Sequence, residues 1–161
     1  MPSERFEVDR IIPADASAIF EILRSPQGHV SIDSTGMLMW AEGQPASQSG
    51  DTFVVHMDRD SLRDVPLELY DVTVAFTRYE QDRVIEWTIL TDFLDPPLGH
   101  VYGYELEPTD DGTKVTSYYD WSALDDAYRG RIGFPIISET ALRATLGILA
   151  RTVAPGAPRP V

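Results

Sequence analysis

Polar and apolar residues alternate along most of the middle of this chain, and the period changes near its C-terminal end. Period-two stretches at 37–42, 52–57, 67–79, 84–90, 100–107 and 113–121 predict a meander of strands. Turn-forming groups such as Gly43-Gln44-Pro45, Glu80-Gln81-Asp82 and Asp110-Asp111-Gly112 separate them, short enough to make successive strands antiparallel neighbours. A further strand over 6–12 opens the chain and stops at Pro13. The apolar face of Ile19, Phe20, Ile22 and Leu23 predicts a helix over 16–23, broken by Ser25-Pro26, and a second short helix follows over 27–32.

Towards the end, Ile137, Ala141, Ala144 and Ile148, with Leu142 and Leu149, recur at a spacing near that of a helix. Pro135 suits a first turn and Pro155-Gly156 a stop, so a long helix is expected over 136–153, with a mobile tail over 155–161. Ser122 and Asp125 read as the cap of one more short helix ending near Gly130. The sum is an α+β fold, one domain over 1–154, in which a curved antiparallel sheet packs on a terminal helix.

Composition narrows the function. A chain of 161 residues, 43% hydrophobic, can bury one sizeable core. No apolar run reaches the roughly 18 residues of a membrane span, so no transmembrane insertion is expected. Thirteen basic against 26 acidic side chains give a net charge of -13, which repels phosphate backbones and removes nucleic acid from the expected partners. The absence of cysteine removes disulfides and thiol nucleophiles and fits a cytoplasmic setting. The start, Met1-Pro2-Ser3-Glu4-Arg5, lacks the basic and apolar regions of a signal peptide. The three histidines show no zinc spacing, the acidic pairs no calcium-loop order, and the glycines no phosphate cradle, so neither metal nor cofactor is expected. No Gly-x-Ser-x-Gly elbow supports hydrolysis.

What remains is a pocket. Ile85, Trp87 and Ile89 share one strand face; His100, Tyr102, Tyr104 and Leu106 share another, as do Val115, Ser117, Tyr119 and Trp121. With these faces towards the helix, Ile85, Trp87, Ile89, Tyr102, Tyr104, Ser117 and Tyr119 are the expected ligand-binding residues. His100 is the candidate general base, with Tyr102 or Tyr119 as donor to an oxyanion. Its place after Pro96-Pro97-Leu98-Gly99 also fits an exposed strand mouth. His29 reads as a helix-end or surface residue, with a cavity entrance as the functional alternative, and His56 shares a face with Val54 and Asp58. Arg10 and Arg78 lie in strand-like stretches, within reach of a ligand carboxylate or of a neighbouring one.

Several stretches occur in a familiar order: Phe6-Glu7-Val8 leading to Ala14-Asp15-Ala16-Ser17-Ala18-Ile19-Phe20, then Gln27-Gly28-His29-Val30-Ser31-Ile32-Asp33, Arg83-Val84-Ile85-Glu86-Trp87, Tyr104-Glu105-Leu106-Glu107-Pro108, and Gly112-Thr113-Lys114-Val115 on to Trp121. With the final helix they resemble the START-like, Bet v 1-like (SRPBCC) superfamily over about 5–153, in particular its bacterial polyketide cyclase/dehydrase-like or lipid-transport-like branch. The resemblance implies a helix-grip fold: a strongly bent seven-stranded antiparallel sheet wrapped around a long C-terminal helix, with two short helices after strand 1. It implies a cavity for a hydrophobic or aromatic small molecule, and a cavity position for Trp87, Tyr102, Tyr104 and Tyr119. It carries over no fixed catalytic residue. The expected function is binding or carriage of such a molecule. The alternatives are a cyclase/dehydratase acting on an enolisable substrate through His100, Tyr102 and Tyr119, or a noncatalytic protein-interaction domain using 37–40 or Phe93-Leu94. A monomer or weak homodimer is expected.

Overall fold

A computed structural model describes residues 3–158 and Pro160. The elements run β1 (Arg5–Ile12), α1 (Ala16–Leu23), α2 (Pro26–Ile32), β2 (Leu38–Glu42), β3 (Thr52–Asp58), β4 (Leu69–Glu80), β5 (Val84–Leu90), β6 (Val101–Thr109), β7 (Gly112–Asp120) and α3 (Glu139–Val153). The strands form one seven-stranded sheet in the order β1-β7-β6-β5-β4-β3-β2, antiparallel throughout. This is the α+β helix-grip arrangement: two short helices follow β1, and α3 packs on the sheet.

Local chemistry sets the helices. Ile19, Phe20 and Leu23 bury one face of α1. The Ser25 hydroxyl accepts the Gly28 N–H and Pro26 occupies the first turn of α2, where a missing N–H costs nothing. Gly28 is required by contact, because a Cβ there would collide with the Ile22 carbonyl of α1.

Two expectations are corrected. The last helix begins at Glu139 rather than 136, because the Ser138 hydroxyl caps it by accepting the Ala141 N–H, and Pro135 lies in the preceding loop. The segment 122–130 forms successive turns rather than a helix: the Ser122 hydroxyl donates to Asp120, and Asp125 accepts the Ala127 N–H. The expected tail includes Arg159 and Val161, and the expected start includes Met1 and Pro2; these four lie outside the described residues.

The concave side of the sheet is divided. α3 lies over β1 and β7, burying Leu142, Leu146, Leu149 and Ala150. A short polar chain anchors its first half: Thr145 Oγ1 donates to Ser34 Oγ (2.9 Å), which donates to the Ala141 carbonyl (2.8 Å). β3 to β6 extend beyond the helix, and the part of their inward face that α1 and α2 leave uncovered is free to enclose space.

Candidate functional site

That space is a cavity of about 430 Å³ between the sheet and α3. Val55 and Met57 of β3, Val72 and Val74 of β4, and Trp87 and Ile89 of β5 supply much of its wall, by the alternation that sends every second side chain inward. Tyr102 and Tyr104 of β6 complete this floor, and Ala141 and Leu142 of α3 close it on the helix side. The Trp87 indole lies nearly parallel to two phenols of β6, 5.9 Å and 13° from Tyr102 and 5.9 Å and 28° from Tyr104.

Of the expected ligand residues, Trp87, Ile89, Tyr102 and Tyr104 line this cavity together with His100. Ile85, Ser117 and Tyr119 face the same side of the sheet but lie outside the lining. Ile85 pairs with Tyr79, whose ring meets Phe20, so α1 fills that end of the sheet. Ser117 and Tyr119 belong to β7, where α3 takes up the concave side. Tyr119 stacks on Tyr102 at 4.4 Å and 19°, one layer behind the wall.

His100 is buried, not exposed at a strand mouth: it retains 1% of its accessible surface. Its Nδ1 lies 2.7 Å from the Tyr119 hydroxyl, and its Nε2 is buried without a partner among the described residues. Burial lowers the imidazole to a pKa of about 4, so the ring is neutral at physiological pH. Burial likewise pushes the Tyr102 and Tyr119 phenols above their ordinary range. His29 is also an interior residue rather than a surface one, because α2 sets its ring edge-on to Phe53 (5.0 Å) and Trp87 (4.6 Å). Its Nε2 pairs with the Leu23 carbonyl at 2.7 Å, and burial holds it at about 4 as well.

Arg59, Tyr70 and Thr91 are among the polar lining residues that the sequence alone does not assign to the cavity. Arg59 Nε and Nη2 donate to the two oxygens of Asp64 at 2.8 and 2.6 Å, and Nη1 donates to the Tyr70 hydroxyl at 3.1 Å. The pairing raises the guanidinium pKa and holds the Asp64 carboxyl below its usual range. A signal was present in the alternation. Arg59 continues the inward series 53, 55, 57; Thr91 continues 87, 89; and His100 precedes 102, 104. Antiparallel pairing then brings the ends of β3 and β5 and the starts of β4 and β6 to the same end of the sheet. The cavity therefore has apolar walls and one polar end.

No protein-family model matches this chain, and no curated protein sequence matches it. Solved structures do. The ginseng major latex-like protein 151 from Panax ginseng superimposes with a TM-score of 0.65 over 94% of this chain and 97% of that chain, at 12% identity. The KanY protein gives a TM-score of 0.64 over 95% and 99% of the two chains at 13% identity, and the AHSA1-like protein from Aeromonas hydrophila gives 0.59 over 92% and 91% at 16%. The fold is Bet v 1-like. At these identities the likeness extends to the fold alone.

Outside the cavity, the chain carries its third histidine on the convex face. His56 sits between Glu42 and Asp71, 2.6 Å from each, and stacks on Trp40 at 3.8 Å. Bonding to Glu42 and then Asp71 raises its pKa. Arg78 is exposed, 3.8 Å from Glu80. Arg10 lies beside α3 near Gly147 and outside the cavity lining.

Proposed function

We propose that this protein binds and carries a hydrophobic or aromatic small molecule in the cavity between sheet and helix. The carrying observation is the cavity of about 430 Å³, left open in an otherwise packed interior and walled by Val, Ile, Met, Trp and Tyr side chains. Pockets of roughly 300–1,000 Å³ suit small ligands. The Trp87–Tyr102 pair supplies a flat aromatic surface for one. A cyclase or dehydratase reading draws less support, because an imidazole held near 4 is a weak base at neutral pH.

The acidic, cysteine-free chain fits a cytoplasmic carrier acting as a monomer or weak homodimer, and no helix among the described residues is long and apolar enough to cross a membrane. Self-association would use the edge strand β2, where Met39 and Trp40 are exposed. Native mass spectrometry after gentle purification, with and without the neutral apolar probe N-phenyl-1-naphthylamine, tests the reading. A one-to-one adduct with a co-purified molecule or the probe is expected. A protein that holds neither contradicts it.

A further inference from the structure

Two buried polar atoms without a partner among the described residues belong to residues of the same cavity: Nε2 of His100 and Oγ1 of Thr91. Nearly all buried polar atoms in folded proteins are paired, and an unpaired one costs free energy. Two on residues that line one cavity point to a ligand group that completes them once their side chains turn towards it.

The topology brings them together. β5 ends at Leu90 and β6 begins at Val101, with Thr88 opposite Val101, so Thr91 and His100 stand at the same end of adjacent strands. The Thr88 hydroxyl donates to the His100 carbonyl at 2.6 Å and fixes that end. On the far side of the ring, the Tyr119 hydroxyl meets Nδ1. A phenol is the stronger donor of such a pair, which leaves Nδ1 as acceptor and places the imidazole proton on Nε2. Thr91 adds a second donor, its O–H. This corner offers an N–H and an O–H that no group among the described residues accepts.

Its charge distribution narrows the acceptor. Arg59 is the cation in the lining, and both Asp64 oxygens already hold it at 2.6 and 2.8 Å. A ligand carboxylate would lose its hydration without meeting a free cation, whereas a neutral carbonyl needs only donors. We infer that the ligand carries a neutral oxygen acceptor, a ketone or ester carbonyl, bound by His100 Nε2–H and Thr91 Oγ1–H, with its apolar body against Trp87 and Ile89. The inference rests on the binding function proposed above and names the chemical class of the ligand.

Three probes on one skeleton test it: 2-acetylnaphthalene, 2-isopropylnaphthalene and 2-naphthoate, titrated calorimetrically into the wild type, Thr91→Val, His100→Phe and Arg59→Gln. The ratio of ketone to hydrocarbon affinity cancels the difference between proteins in general apolar binding. It should fall about 5-fold in Thr91→Val and again in His100→Phe, as expected for one hydrogen bond each. Should His100→Phe fail to fold, Thr91→Val alone carries the test. Ketone and hydrocarbon both binding, with a ratio that neither substitution changes, overturns this inference and leaves the binding function standing. Naphthoate binding most tightly, and weakening in Arg59→Gln, overturns it in favour of an anionic ligand. No binding of any probe to the wild type overturns both.

Discussion

The Tyr119 hydroxyl meets Nδ1 of His100 at 2.7 Å inside the protein, joining a residue behind the cavity wall to one in it. Tyr119→Phe keeps the ring and its stacking on Tyr102 but leaves Nδ1 without a partner. A loss of about 1–3 kcal/mol in stability is expected from urea unfolding at neutral pH. The ¹⁵N imidazole signals of His100 should show one tautomer, protonated at Nε2, in the wild type and a mixture in the variant. A variant as stable as the wild type, with an unchanged tautomer, would refute this role.

Acid should destabilise the fold in a definite window. His29 and His100 are both held near 4 in the folded state by burial, against an ordinary value of 6.5. The unfolded chain therefore binds more protons between these limits. The stability that the two neutral rings contribute is fully present above pH 6.5 and lost as pH falls towards about 4, by about 3 kcal/mol for each ring. His56 acts in the opposite direction: its raised pKa contributes stability below 6.5 that is lost as pH rises through the folded value, a surface effect weakened by salt. Urea midpoints measured from pH 7.5 to 4.5 should drop steeply in the wild type and less in His100→Phe. Equal slopes would show that His100 does not report its burial.

How much of this was legible in the sequence depended on range. The strands were readable because Gly, Pro and Asp groups bound their alternating runs, and α1 because Ile19, Phe20 and Leu23 form one face. Pro135 fits a first helical turn in isolation, while the Ser138 cap three residues on sets the start of α3. Trp87, Ile89, Tyr102 and Tyr104 line the cavity on the faces that alternation assigns to them. Whether an inward side chain meets open space or packed atoms is settled by elements distant in sequence. α3 lies over β7 and takes Ser117 and Tyr119 out of the lining, and α1 does the same for Ile85. Arg59 and Thr91 sit one step beyond strand ends, where Asp58-Arg59-Asp60 resembles hydrated loop charge and the inward phase is easily dropped.

Tyr118 lies over Gly103, its cross-strand neighbour, and a Cβ at position 103 would collide with the phenol ring. The ring cannot easily retreat: its hydroxyl donates to Glu86 at 2.6 Å, and the Arg5 guanidinium sits 4.2 Å from its centroid. Gly103→Ala should cost about 1–3 kcal/mol in urea unfolding through overpacking. In a Tyr118→Ala background the same substitution should cost close to nothing. An equal cost in both backgrounds would place the strain elsewhere.

The cavity itself is tested most directly by filling it. Val72→Trp, and independently Ile89→Trp, put an indole into the space lined by these two residues. N-phenyl-1-naphthylamine fluorescence should report one-to-one binding to the wild type and at least about 10-fold weaker binding to a filled variant whose circular dichroism is unchanged. Binding of equal strength to wild type and folded filled variants would place the probe outside the cavity and contradict the account.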